Sequence, residues 1–302
     1  MAAIVQEYIV RPLLLDGFKW DARIYALALP GPCGGLRCFL AQDGLVRVCV
    51  DPYEPPEPRN IHRLTMHCTN YSLSKFSDKF SFNEDPANAY TGCKRTLSAV
   101  LSRLEAEPSV RLSAANTWRA LGELARETVA AMAGSVRTFA FDPGTWDGSA
   151  ELAERAADRF GQCFHIVGLD VLLDETGRPW LMEVNNNPSL SLDEVRPLAD
   201  VKTLAEANKC FAAAKKDGRP GAEPEAGARC PPKWGRPCRC MQHPRPHAHY
   251  RCPVDVSVKV PVVHGALAIA RRAQAAAQAA LEANGADSSC ESWVQGTFFR
   301  AV

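Results

Sequence analysis

The stretch FHIVGLDVLLDETGRPWLMEVNNNPSL, residues 164–190, decides how the chain is read. Two apolar runs, Phe164–Leu173 and Pro179–Val184, flank Asp-Glu-Thr-Gly, which is a hairpin signal. Asp170, Glu183 and Asn185 interrupt those runs. Side chains alternate between the faces of a strand, so Glu183 and Asn185 share one. With Asp174–Gly177 as the loop, Leu173 pairs with Arg178 and residue 183 lies opposite 168. Asp170 then joins Glu183 and Asn185 on one surface, and a one-residue slip would turn it away. Two carboxylates and an amide oxygen on one sheet surface suit Mg²⁺, a hard cation whose shell substrate phosphates complete. The plain alternative is a hairpin with its polar residues on a solvated face. Against that stand the apolar surroundings of the acids and the continuation into Asn-Asn-Asn-Pro-Ser, a constrained turn.

The chain has 302 residues, 46% of them hydrophobic, enough for one large or two small domains with a full core. A net charge of +1 gives no global attraction to nucleic acid or an anionic membrane. No apolar run approaches the roughly 18 residues of a membrane span, and the N-terminus has no signal-peptide pattern. The twelve cysteines mostly sit in apolar segments, as reduced thiols of a cytoplasmic protein do.

Ile4–Val10 reads as a strand. After Asp16-Gly17, residues 18–29 alternate: Lys19, Asp21, Arg23 and Tyr25 against Trp20, Ala22, Ile24 and Ala26. That is the period of a half-buried strand, either a solvated edge strand or a cleft wall presenting charge to a nucleotide. Leu36–Gln42 and Leu45–Val50 read as a second hairpin across Asp43-Gly44, with Arg47 on the return strand. Residues 51–60 form a connecting loop, and Met66–Ser72 is a polar turn. Helical spacing covers 93–106, with a stripe of Leu97, Val100, Leu101 and Leu104. It also covers about 114–133, with Trp118, Leu121, Leu124, Ala125 and Thr128. A surface loop is expected at 139–148, a helix at 149–160 and another from 204 to about 216. Cys230, Cys238, Cys240, His243, His247, His249 and Cys252 lie within and after a Gly/Pro/Glu-rich segment, Asp217–Pro237, that reads as a flexible insertion. Thiolates and imidazoles could hold zinc, but C-x-C and H-x-H lack paired C-x2-C knuckles, which favours a polar loop. An Ala-rich helix is expected over about 262–284.

Several motifs stand in a fixed order: Gln6-Glu-Tyr-Ile9, Lys19-Trp-Asp-Ala-Arg23, Arg47, His67-Cys-Thr-Asn-Tyr71, Gly168-Leu-Asp170 and Glu183-Val-Asn185-Asn-Asn-Pro-Ser189. The ordered set resembles the tubulin–tyrosine ligase-like family of the ATP-grasp superfamily, over residues 4 to about 210, with Asp255 and Lys259 as a further element. The resemblance implies an α+β, ATP-grasp-like fold, an antiparallel sheet with flanking helices. Residues 1–210 would be its central and C-terminal part, 211–252 a flexible insertion, 253–284 a closing segment with helix and 285–302 a tail. Because family members begin well upstream of the Gln-x-Tyr-Ile segment, an N-terminally truncated domain is expected.

The same resemblance implies ATP-dependent ligation of an amino acid to the acidic tails of tubulin, through an acyl-phosphate. Gln6, Tyr8 and Ile9 match the adenine segment; Lys19, Asp21, His67, Thr69 and Asn70 match other nucleotide positions. Arg23 and Arg47 match arginines around the phosphates, and Lys259 a lysine near the amino-acid substrate. Asp170, Glu183 and Asn185 match ligands of magnesium, two ions. Asn-Asn-Pro-Ser-Leu-Ser-Leu favours the polyglutamylase branch, with free glutamate as substrate and microtubules as partner. Glycylation and a non-catalytic microtubule-binding relative are the alternatives. The family also implies the cytoskeleton, including cilia, flagella or basal bodies. Arg59, Arg63, Lys75 and Lys79 are candidates for a basic surface beside the cleft.

Overall fold

The structure is a computed structural model that describes residues 5–30, 36–75, 77–140, 163–197, 247–282, 294–295 and 297–302. Its centre is a six-stranded, wholly antiparallel sheet. Strands β1 (Trp20–Pro30), β2 (Leu36–Val48), β3 (Lys94–Thr96), β4 (His165–Leu173) and β5 (Pro179–Asn185) lie in the order β3-β2-β1-β4-β5, and β8 (Phe299–Ala301) pairs with β2. This mixture of helix and antiparallel sheet agrees with the fold the sequence implies. A two-stranded sheet joins β6 (Asp193–Pro197) to β7 (His247–Arg251). Its second strand falls inside the segment read as a flexible insertion.

Helices cover both sides of the main sheet. Helix α3 (Leu97–Ala106) and helix α4 (Ala114–Ala140) lie on one. Leu97, Val100, Leu101, Leu104, Leu121, Ala125 and Val129 pack there against Trp20, Ala22, Ile24, Val46, Leu169 and Val171. On the other side, Val254, Val258, Val262, Ala266 and Ile269 of α5 (Pro253–Glu282) cover Tyr25, Leu27, Phe39 and Leu45. The stripe read on 97–104 is buried throughout; in the second, Leu121 and Ala125 are buried and Trp118 and Leu124 half-buried. Two short helices, α1 (Leu64–His67) and α2 (Tyr71–Ser74), sit in the long connection from β2 to β3.

Several expectations are corrected. Residues 5–10 form no strand; Val5 is 95% exposed, and pairing begins at Arg11, whose carbonyl accepts from Glu175 N at 2.9 Å, followed by Leu13 N–H donating to the Leu173 carbonyl at 2.8 Å. β1 is no solvated edge strand, because β2 and β4 flank it and Lys19 and Asp21 are buried. Asp16-Gly17 makes the expected tight turn, both residues with positive φ, and Leu15 and Phe18 exchange backbone bonds across it. Asp43-Gly44 makes no turn. β2 runs straight through it along β1, and the extra residues are absorbed in a register shift between Ile24 and Ala26. The Asp43 carboxylate accepts from Gly44 N, Ser98 N and Ser98 Oγ, which anchors that irregularity to the start of α3. A side chain at Gly44 would place Cβ 2.7 Å from the Arg23 carbonyl oxygen.

The helix expected from 262 begins at Pro253. Proline at the first helical position gives up an N–H that has no intrahelical partner, and Asp255 follows in the first turn. Pro261 lies inside the helix. Contrary to the hydropathy reading, Pro253–Ala276 is long and apolar enough to cross a membrane, although here it lays one face on the sheet. Phe139 and Ala140 continue α4; the rest of the loop expected at 139–148, and the helices expected at 149–160 and 204–216, lie outside the described residues.

Candidate functional site

The β4–β5 hairpin brings the three predicted metal ligands to one surface by a route the sequence did not show. Leu173 pairs with Pro179, not Arg178, which is the one-residue slip that would turn Asp170 away. Val171 then pairs with Leu181, but Asp170 pairs with Glu183 and Gly168 with Asn185. Met182 is the extra residue of a bulge, and the bulge returns Glu183 and Asn185 to the face of Asp170. The loop is held by Asp174, whose carboxylate accepts from Thr176 N, Arg178 N and Trp180 Nε1.

Cross-strand neighbours extend this surface across the sheet. Arg23 lies opposite Asp170, Asp21 opposite Arg47, and Arg47 opposite Lys94. Residues directly opposite in an antiparallel pair share a face. The charged face is therefore the α5 side of the sheet, beside the first turns of that helix, where Asp255 meets Lys94. Arg23 clamps Asp170 through Nε and Nη2, the second bond being 2.9 Å. Arg47 reaches the same carboxylate at 2.8 Å and also binds Asp21 through Nε at 2.8 Å and through Nη2. Thr69 Oγ1 donates to Asp21 at 2.6 Å. A chain of alternating charge, its carboxylates buried and its arginines half-buried, thus runs Arg23–Asp170–Arg47–Asp21.

Burial works to raise the Asp170 carboxyl, but Arg23 and Arg47 outweigh it and hold the group below its ordinary 3.8. At Asp21, deeper burial wins over Arg47 and Thr69 and the carboxyl is pushed up. Gly168 makes room for the clamp. A Cβ there would stand 3.0 Å from Arg23 Cδ and 2.8 Å from Pro188 Cβ.

On one flank Lys19, buried, donates to Tyr8 Oη at 3.0 Å and lies 4.2 Å from the centre of its ring. Tyr8 Oη is 2.9 Å from His67 Nδ1, and the two rings meet edge to face. Burial and the neighbouring Lys19 cation lower the His67 pKa below 6.5. On the other flank stands a lysine the sequence reading missed. Lys94 donates to Asp255 Oδ2 at 2.5 Å and sits 4.8 Å from the centre of the Tyr71 ring. Lys259 meets the other oxygen of Asp255 at 2.8 Å and donates to the Ser191 carbonyl at 2.6 Å. Burial disfavours both lysine charges; Asp255 reverses this for Lys94, whose pKa rises, but not for Lys259, whose pKa falls. Residues 93–96 had been read as the start of a helix, which hid Lys94 in β3.

The remaining predicted residues stand apart. Gln6 is exposed and Ile9 half-buried in the irregular N-terminal segment. Asn70 caps α2 by accepting from Ser72 N at 2.8 Å. The candidate basic surface is largely committed to local acids: Arg59 to Glu54 and Glu57, Arg63 and Lys79 to Asp51. Lys75 lies over Tyr71.

The oxygen donors fit a hard cation in type. Asp170 and Glu183 face each other across two strands, Glu183 is exposed, and Asn185 has a buried amide nitrogen without a hydrogen-bond partner among the described residues. Among those residues no group of three or more His, Cys, Asp or Glu side chains is placed to hold a metal. Of the zinc candidates, Cys230, Cys238, Cys240 and His243 lie outside the described residues, and His247 and His249 fall on β7. Cys252 is buried beneath α5, where its sulfur accepts from Asp255 N, and burial pushes its thiol up to about 12.

An antiparallel sheet flanked by helices, with a cation–carboxylate network on one face and oxygen donors at its end, is a layout suited to a metal–polyphosphate ligand. Comparison with known proteins gives the class its name. Residues 1–203 match the tubulin-tyrosine ligase family, and the chain belongs to it. It is 36% identical over 198 residues to human tubulin polyglutamylase TTLL11, a match covering 65% of this chain and 25% of the relative. Mouse tubulin polyglutamylase TTLL7 is 35% identical over 193 residues, covering 63% and 19%. A probable beta-tubulin polyglutamylase of Tetrahymena thermophila is 33% identical over 192 residues, covering 63% and 15%. The match thus spans a quarter or less of the length of these relatives.

Proposed function

We propose that this chain is the ATP- and magnesium-binding part of a tubulin polyglutamylase, a ligase that joins free glutamate to glutamate side chains of acidic tubulin tails. The single observation that carries the reading is the shared face: Asp21, Arg23, Arg47, Asp170, Glu183 and Asn185 come from four strands and meet on one surface. Four strands must come into register for that to happen, since Asp21 and Arg23, and Glu183 and Asn185, each share a face along one strand. The names of the relatives supply the substrate class, and tubulin implies a cytoplasmic, cytoskeletal setting.

The chemistry required is activation of a carboxylate, a poor acyl donor. Its oxygen attacks the γ-phosphorus of ATP, ADP leaves, and the amine of glutamate then displaces phosphate from the acyl-phosphate. Such transfer depends on in-line positioning and on neutralising charge. Asp170, Glu183 and Asn185 would hold magnesium, which supplies charge neutralisation at the phosphates when bound. Arg23 and Arg47 hold cationic donors over the same ground. Tyr8 and Lys19 form an aromatic and cationic wall, in keeping with a base-binding end. Lys94 and Lys259, both reaching Asp255, form a second cationic group that suits the carboxylates of an amino acid.

The test is ATP-dependent incorporation of labelled glutamate into microtubules by the 302-residue chain, with Glu183→Gln alongside. Incorporation by the wild type and its loss in the variant are expected. Incorporation that survives Glu183→Gln, or incorporation of glycine in place of glutamate, would overturn the reading.

A further inference from the structure

The carboxylate assigned to the metal is already occupied by protein. Both oxygens of Asp170 accept from guanidinium groups, Oδ1 from Arg23 and Oδ2 from Arg23 and Arg47. The Arg23 and Asp170 side chains are 13% and 6% exposed. Among the described residues Asp170 is the one carboxylate that Arg23 reaches, whereas Arg47 keeps Asp21 as a second partner. A lone cation entering at Asp170 would therefore strip Arg23 of its counter-ion in a buried setting. That is unfavourable, because the uncompensated guanidinium, only 13% exposed, has little water to solvate it.

A polyphosphate changes the balance. Phosphate oxygens accept paired guanidinium bonds as carboxylates do. Arg23 can pass from carboxylate to phosphate without losing an anionic partner, and Oδ1 of Asp170, which Arg23 alone holds, is then free for the cation. Resting on the reading of this face as a nucleotide site, we propose that Arg23 and Asp170 form a latch. The nucleotide draws Arg23 away, Asp170 becomes a metal ligand only then, and metal and nucleotide enter as a unit. Glu183, exposed and outside the clamp, contributes to the metal but not to the latch.

The two acids are then not equivalent, and the experiment exploits this. ATP binding to the full chain is measured by calorimetry in EDTA and again in excess Mg²⁺. Wild type is expected to bind weakly without metal and tightly with it. Asp170→Asn releases Arg23, so it should bind metal-free ATP about tenfold more tightly than wild type, with little further gain from Mg²⁺. Glu183→Gln should leave metal-free binding at the wild-type level and lose the metal-dependent gain. Equal metal-free affinity of wild type and a folded Asp170→Asn overturns the latch while leaving the nucleotide site standing. Failure of wild type to bind Mg·ATP overturns both.

Should Asp170→Asn fail to fold, the reciprocal variant decides. Arg23→Gln opens the latch from the other side. Mn²⁺ alone, followed by its paramagnetic resonance signal, should bind this variant saturably and the wild type at least about tenfold more weakly. Equal Mn²⁺ binding by the two chains overturns the proposal.

Discussion

The two faces of β1 are built from residues one position apart and do opposite work. Trp20, Ala22, Ile24 and Ala26 enter a dry core under α3 and α4. Lys19, Asp21, Arg23 and Tyr25 point to the other side, where α5 covers the sheet over Tyr25, Leu27 and Leu29 and leaves the charged end to the site. The first face is specified by volume and apolarity, the second by counter-charge. Tyr25 marks the boundary; its buried hydroxyl has no hydrogen-bond partner among the described residues. The difference teaches that a strand buried on both sides need not be apolar on both, provided each charge meets its opposite directly across the ladder.

The comparison can be broken by removing one charge. Asp21→Ala leaves Arg47 buried with one carboxylate instead of two and Thr69 Oγ1 without its acceptor; a loss of about 3–5 kcal/mol in urea unfolding is expected. The paired replacement Asp21→Leu with Arg47→Met should recover most of that stability while nucleotide binding stays lost. If the double variant is as unstable as Asp21→Ala, the charged face is not held by counter-charge. On the dry face Leu101→Ala should cost about 2–5 kcal/mol through the cavity it leaves. Nucleotide affinity of the folded fraction should not change, and an altered affinity would mean that the faces are not independent.

A smaller effect sharpens the geometry. Gly168→Ala crowds Arg23 and Pro188 and should cost about 1–3 kcal/mol, with weakened Mg·ATP binding by calorimetry. Unchanged binding would remove Arg23 from the site. The smallest effect is on acid stability. Asp170 has a folded-state pKa below 3.8, so its contribution is present above that value and fades as pH falls through the folded pKa. A stability profile below pH 4 should be flatter for Asp170→Asn than for wild type, whereas Leu101→Ala should shift the whole profile downward in parallel.

Much of the site could be read from the chain, because period-2 alternation survives any tertiary detail. That rule puts Asp21 with Arg23 and Glu183 with Asn185, and the charged row on β1 needs nothing more, whereas the face of Asp170 relative to Glu183 depends on the hairpin register. The register did not follow from the loop length. A slip at Pro179 and a bulge at Met182 cancel, and neither leaves a mark in the sequence. The two Asp-Gly pairs show the same limit. Asp16-Gly17 turns with its Asp16 carboxylate held by Arg103; Asp43-Gly44 does not turn but lies within the run of β2 along β1, its carboxylate held by Ser98. Lys94 was hidden by its neighbours, since Leu97, Val100, Leu101 and Leu104 extend a helical pattern almost to it. The start of α5 was missed because a proline suits a first helical turn as well as it breaks a later one. The basic candidates at 59–79 were chosen by charge alone, and nearby acids mostly neutralise them.

The central claim is that the charged half of one sheet face binds a metal–nucleotide. Calorimetric titration of the wild-type chain and of Glu183→Gln with Mg·ATP tests it most directly. Saturable, tight binding at one site by the wild type, reduced to the weak level of metal-free ATP in a Glu183→Gln protein of unchanged melting temperature, is the predicted result. No binding by a folded wild-type chain, or equal binding by both, would contradict it.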